Sequence, residues 1–141
     1  MTRRDDLVAS VEIPSRTTSF AGEPQSVTSA RLAAEDFLCV LADVRPPGAP
    51  EYWHDILLVV TELAANAVQY APGEFSLTMR RTFDGVHVTL HDSNPTPPAP
   101  RPFHPSTGGG GVGWHLIHAL CEQVSVVTES HGKDVHVFLP W

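Results

Sequence analysis

The chain has 141 residues, 42% hydrophobic and 18% charged, a composition that excludes a disordered or fibrous chain and suits one globular domain. With 9 Lys and Arg against 16 Asp and Glu, the formal charge of −7 has the wrong sign for a protein that grips duplex nucleic acid through a basic face. No apolar run approaches the ~18 residues of a membrane span and no basic-then-apolar leader opens the chain, so the expectation is a cytoplasmic protein with neither membrane nor direct nucleic-acid partners.

Residues 1–12 are polar and charged and read as a loose tail, leaving 13–141 as a single domain. Residues 13–20 suit a short edge strand, with Pro14 near its start. After Gly22 and Pro24, Ser26 is placed to cap a helix over 26–42, with Val27, Ala30, Ala34, Phe37, Leu38 and Leu41 at helical spacing. Prolines and a glycine make 45–50 a loop. A second helix is expected over 51–71, where Ile56, Leu57, Val60, Leu63, Ala64, Ala67 and Ala71 form one apolar stripe that Pro72 and Gly73 end.

Phe75, Leu77 and Met79 alternate with polar neighbours, Asp84-Gly85 marks a turn, and Val86, Val88 and Leu90 alternate again, which predicts a hairpin. A Pro-rich stretch over 94–105 leads into a glycine run and a helix opening at Trp114, with Leu116, Ile117, Leu120 and Cys121 facing inward. A last hairpin pairs 124–128 with 135–139 around His131-Gly132-Lys133. Paired strands broken by helices predict an α+β, two-layer α/β sandwich: a mixed, mostly antiparallel sheet with helices on one face. Cys39 and Cys121 lack a CxxC spacing and read as reduced thiols in or near the core. The 8 histidines form no metal-binding motif; His115 and His118 can share a helix face, but no third ligand stands near.

Three features have the residue types that nucleotide chemistry uses. On the second helix, Asp55, Glu62, Asn66 and Gln69 fall in one narrow wedge at 100° per residue, either lining a cavity or forming a thin solvent strip. Asp92 follows the alternation of Val86, Val88 and Leu90 and so faces the core side, where a carboxylate needs donors. It can receive a ligand amino group or cap the turn at Asp92-Ser93-Asn94-Pro95. Gly108, Gly109, Gly110, Gly111 and Gly113 lead into a helix, an arrangement that suits an anion or a plain flexible loop. No Gly-Lys-Ser/Thr follows, so this is not a Walker loop.

In this order the features resemble the histidine-kinase-like ATPase domains, shared by sensor kinases and gyrase-type ATPases. The run Thr61-Glu62-Leu63-Ala64-Ala65-Asn66-Ala67-Val68 resembles the family's N-box, Asp92 its first glycine box, and Gly110-Gly111-Val112-Gly113 its second. The chain looks most like the stand-alone actinobacterial anti-sigma-factor serine kinases and related ATP-binding regulators, over residues 24–139.

The resemblance implies the Bergerat ATP-binding fold, with ATP and Mg²⁺ as cofactors. It implies Glu62 as the catalytic general base and Asn66 as the Mg²⁺ ligand. It implies Asp92 and Asn94 at the adenine, and Gly108, Gly110, Gly111, Val112 and Gly113 around the phosphates, with 94–109 as a mobile lid. The implied activity is serine/threonine kinase action on a small, STAS-like antagonist protein, with a sigma factor as the other partner and a homodimer as the assembly. The alternative is a non-catalytic nucleotide-binding or partner-docking regulator of the same fold.

Three positions depart from the family pattern. Asn94 stands where the first box has glycine, and Tyr70 where the N-box often ends in His. Gly132-Lys133-Asp134 replaces a Gly-x-Thr, which brings a carboxylate toward the phosphates unless Asp134 turns away or pairs with Lys133.

Overall fold

The structure is a computed structural model and describes residues 15–96 and 112–141. The expected tail over 1–12, the glycines 108 to 111 and most of the expected lid lie outside the described residues. In chain order the elements are β1 (Arg16–Phe20), α1 (Ser26–Val44), α2 (Pro50–Tyr70), β2 (Phe75–Arg81), β3 (Gly85–Asp92), α3 (Val112–Leu120), β4 (Gln123–Glu129) and β5 (Gly132–Pro140).

The strands form one 5-stranded sheet in the order β1-β2-β3-β5-β4. Every described pairing is antiparallel, so the parallel component of the expected mixed sheet is not among them. Period-two alternation explains why the sheet has one dry face. Phe75, Leu77, Met79, Val86, Val88, Leu90, Val135, Val137 and Leu139 are all buried, while Thr78, His87, Thr89, His136 and Phe138 on the other face stay half-exposed.

The helices cover the dry face. From α1 come Ala30, Ala34, Phe37, Leu38 and Leu41, and from α2 come Ile56, Val59, Val60, Leu63 and Ala64, all buried in the same core. The alanines let the helices approach the sheet closely, and each large side chain withdrawn from water contributes about 1.5–3 kcal/mol. The α3 helix seals the far end with Trp114 and Ile117. Its Leu116 and Leu120, and Cys121 just after it, expected inward, are only half-buried, because a 9-residue helix offers a narrow inward stripe.

Two local expectations need correction. Ser26 is the first helical residue rather than the cap: Gln25 holds that place, and the buried Ser26 Oγ instead accepts from the amides of Gly22 and Glu23, each at 3.2 Å. Cys39 is exposed on α1, since the helical stripe turns past it, while Cys121 alone is half-buried. Burial, then the Asp55 carboxylate, push the Cys121 thiol up to about 12, which keeps it protonated and unreactive.

The C-terminus adds a tie that periodicity does not predict. Trp141 is buried, its indole Nε1 donates to the Arg45 carbonyl at 2.6 Å, and its ring tilts against Trp53.

Candidate functional site

The site grows from one face of α2. Pro50 at the first turn presets the helix, and the stretch from Glu62 to Tyr70 rises about 12 Å at 1.5 Å per residue. Glu62 and Asn66, one turn apart on one face, are both half-buried, as are Asp55 and Ala65, whereas Gln69 at the wedge's edge is exposed. Glu62 reaches the start of α3: a Cβ added to Gly113 would collide with its carboxylate. The close approach sets an acidic oxygen against a helix N-terminus, where the helix dipole favours negative charge. Among the described residues the Asn66 side chain makes no hydrogen bond, and the residue is half-buried on the same face of α2.

The other end of the site lies where β3 ends and β5 begins, at paired residues Asp92 and Lys133. Asp92 is 3% exposed and Lys133 is 6% exposed. The Lys133 Nζ donates to Asp92 Oδ1 at 3.0 Å and to the Asn94 carbonyl at 2.9 Å. Asn94 N also donates to Asp92 Oδ1, at 2.9 Å. Asp92 thus caps the turn after β3, one of the two roles its position allows. Asn94 spends its side chain on structure: Nδ2 donates to the Tyr70 carbonyl at 3.0 Å and Oδ1 accepts from Thr96 N at 3.0 Å. Asn94 thereby ties the C-terminal end of α2 to the end of β3, and so joins the two ends of the site.

Lys133 is the residue that sequence reasoning missed. Placing 131–133 in the last turn hid the fact that β5 starts at Gly132, so its inward set runs Lys133, Val135, Val137, Leu139. Asp134 then points the other way and meets His91 Nδ1 at 2.6 Å on the outer sheet face. Of the two ways open to the Asp134 carboxylate, the chain takes the turn outward, and Lys133 pairs with Asp92. Gly132 is glycine because a Cβ there would run into the Asp92 carbonyl oxygen.

The outer face carries a second polar group. Arg80 Nη2 donates to His87 Nδ1 at 2.7 Å, which places the ring's own hydrogen on Nε2, facing His136 Nδ1 at 2.9 Å. Burial first, then Arg80 and His136, lower the His87 pKa to about 4. Among the described residues no group of three or more His, Cys, Asp and Glu side chains is placed to hold a metal ion. No described helix is long and apolar enough to cross a membrane.

The residues present fit a nucleotide with its magnesium at the level of donor chemistry. Glu62 and Asn66 supply hard side-chain oxygens at one end, beside the start of α3 at Gly113, and a buried carboxylate lies at the other end. The glycines at 108, 110 and 111 and the side chain of Val112 lie outside the described residues; the backbone of Val112 opens α3.

Known proteins bear on this geometry. A family model, described as the histidine kinase-like ATPase domain, matches residues 20–138. The crystal structure of the RsbU and RsbW domains of Rv1364c from Mycobacterium tuberculosis has the same fold, with a TM-score of 0.65 at 14% identity. The likeness covers 91% of this chain and 32% of that one, so this chain spans about a third of its neighbour's length. No curated protein matches the sequence.

Proposed function

Because the chain belongs to the histidine kinase-like ATPase family, we propose that it is an ATP-dependent regulator of the anti-sigma kind. In this reading it transfers a phosphoryl group from Mg-ATP to a serine or threonine on a small STAS-like antagonist, and binds a sigma factor when the antagonist is modified. Residues 13–141 act as one domain, as a homodimer in the cytoplasm.

The observation that carries the reading is the single face of α2. One end sets the Glu62 carboxylate at the start of α3, and the other is tied through Asn94 to the buried Asp92. Along α2 the helix rises roughly 12 Å from Glu62 to Tyr70, whose carbonyl Asn94 holds, so the two ends of the site are spaced by one rigid element. Asp92 takes the base, through the carboxylate oxygen that the turn leaves unused. Asn66 holds Mg²⁺ by its amide oxygen, and Gly113 with the glycines before it admits the phosphates to the N-terminus of α3. The magnesium, when bound, neutralises the charge that builds on the transferring group.

Glu62 then acts as general base: it accepts the proton of the incoming hydroxyl from its place against α3. Asn94 holds the base end and the α2 end in register, so its role is positional.

A second reading, a non-catalytic nucleotide-binding or partner-docking regulator of the same fold, is favoured by one observation: the Lys133 ammonium already neutralises Asp92.

Transfer of labelled γ-phosphate to a STAS-like antagonist distinguishes the two. The wild type is expected to label it and Glu62→Gln to lose at least about a hundredfold in rate with unchanged ATP affinity. Equal labelling by Glu62→Gln would remove Glu62 from the role of base, and no labelling by the wild type would favour the docking reading.

A further inference from the structure

Lys133 is a buried cation for which the reading above has no use, and it holds the group to which that reading assigns the base. Its ammonium donates to Asp92 Oδ1 at 3.0 Å and to the Asn94 carbonyl at 2.9 Å, and the Asn94 amide donates to the same Oδ1 at 2.9 Å. The turn after β3 is thereby clamped from both sides, by Lys133 on β5 and by the bond from Asn94 Nδ2 to the Tyr70 carbonyl on α2. With Asp92 3% and Lys133 6% exposed, the base end is shut in this conformation.

Charge and access both count against a ligand here. The ammonium already gives the carboxylate a charge-assisted bond, stronger than the one a neutral amino group would bring, and it neutralises the acceptor. A base reaches Asp92 at full strength only after Lys133 leaves. The backbone at 133 cannot leave, because it is paired with Asp92 of β3 on one side and with Thr128 of β4 on the other. The side chain can. It is a flexible four-carbon stem at the second residue of β5, free to swing off the end of the strand while the sheet stays in place.

We propose that Lys133 is an autoinhibitory latch: in the free protein its ammonium occupies Asp92 in place of the base, and nucleotide binds only those molecules in which the latch is open. The proposal rests on the nucleotide reading of the site and adds to it how that site is regulated. A site open for a fraction of the time binds with its intrinsic affinity reduced by that fraction. The ammonium thereby sets how tightly the chain holds nucleotide.

The test is calorimetric titration of the wild type and Lys133→Met with ATP and magnesium. The variant loses the ammonium and keeps an unbranched stem. It is expected to bind ATP at least about tenfold more tightly than the wild type, the factor for a latch closed about nine-tenths of the time or more. Equal or weaker binding by the folded variant would overturn the latch and leave the nucleotide reading standing. Binding by neither protein up to millimolar ATP would overturn the nucleotide reading, and the latch with it. Should Lys133→Met not fold, the wild type decides alone, by stopped-flow mixing with a fluorescent ATP analogue. A latch that opens first makes the observed rate level off at the opening rate as the analogue concentration rises, and a rate that climbs linearly throughout would overturn it.

Discussion

At the scale of single residues, Asp92 and Lys133 have to be treated as one unit. Breaking a buried ion pair by removing one partner leaves an uncompensated charge and costs roughly 3–5 kcal/mol, whereas removing both charges costs much less. Asp92→Asn is therefore expected to lower unfolding stability by about that amount, and Asp92→Asn with Lys133→Met to recover a large part of it, as read by urea denaturation. Additive losses would contradict the coupling. A loss of ATP binding in Asp92→Asn alone thus mixes folding with recognition, and the paired variant separates them.

Much of this was legible in the sequence. Alternation from Val86, Val88 and Leu90 predicts Asp92 inward, and 100° steps predict Glu62 and Asn66 on one face. The partner of Asp92 was hidden because the turn boundary was misplaced, and moving the start of the strand by three residues changes which side chains count as strand at all.

At the scale of elements, long periodic runs are read well and ends poorly. The α1 and α2 stripes lie where the periodicity predicts them, with ends displaced by a residue or two, because capping is a local contest that burial does not decide. The α3 helix begins two residues before Trp114, so Gly113 is part of the helix rather than the loop before it. That helix is anchored by Ile117, which is fully buried. Ile117→Ala is expected to cost about 2–5 kcal/mol by denaturant midpoint, and to weaken phosphate binding because α3 carries Gly113. An effect below 1 kcal/mol would mean that α3 packs elsewhere.

On the outer sheet face, His87 ties β2, β3 and β5 together as a neutral ring. Its pKa is about 4 when folded and 6.5 when unfolded, so between these values the unfolded chain binds the extra proton. Its contribution is present above pH 6.5 and is lost as pH falls toward 4. Thermal melts of the wild type are expected to fall across this window more steeply than those of His87→Gln. Parallel slopes would remove His87 from the acid sensitivity of the fold.

At the scale of the whole molecule, sheet order is what makes a site out of distant segments. Placing β5 between β3 and β4 pairs Asp92 with Lys133, 41 residues apart, and the α2–α3 packing brings Glu62 to Gly113. Local patterning carries no such non-local pairing. The resemblance of the N-box and glycine boxes predicted the family and the α+β architecture, and the family match over 20–138 agrees with both. Neither pattern nor resemblance predicts a lysine against the buried Asp92 carboxylate.

The central claim is that this face of α2 and the Asp92 end together bind a magnesium nucleotide. Calorimetric titration of the wild-type chain with ATP, with and without Mg²⁺, tests it most directly. The account predicts saturable binding that strengthens at least about tenfold with magnesium, as expected when a hard cation bridges side-chain oxygens and phosphates. An absence of binding up to millimolar ATP, or affinity indifferent to magnesium, would contradict it.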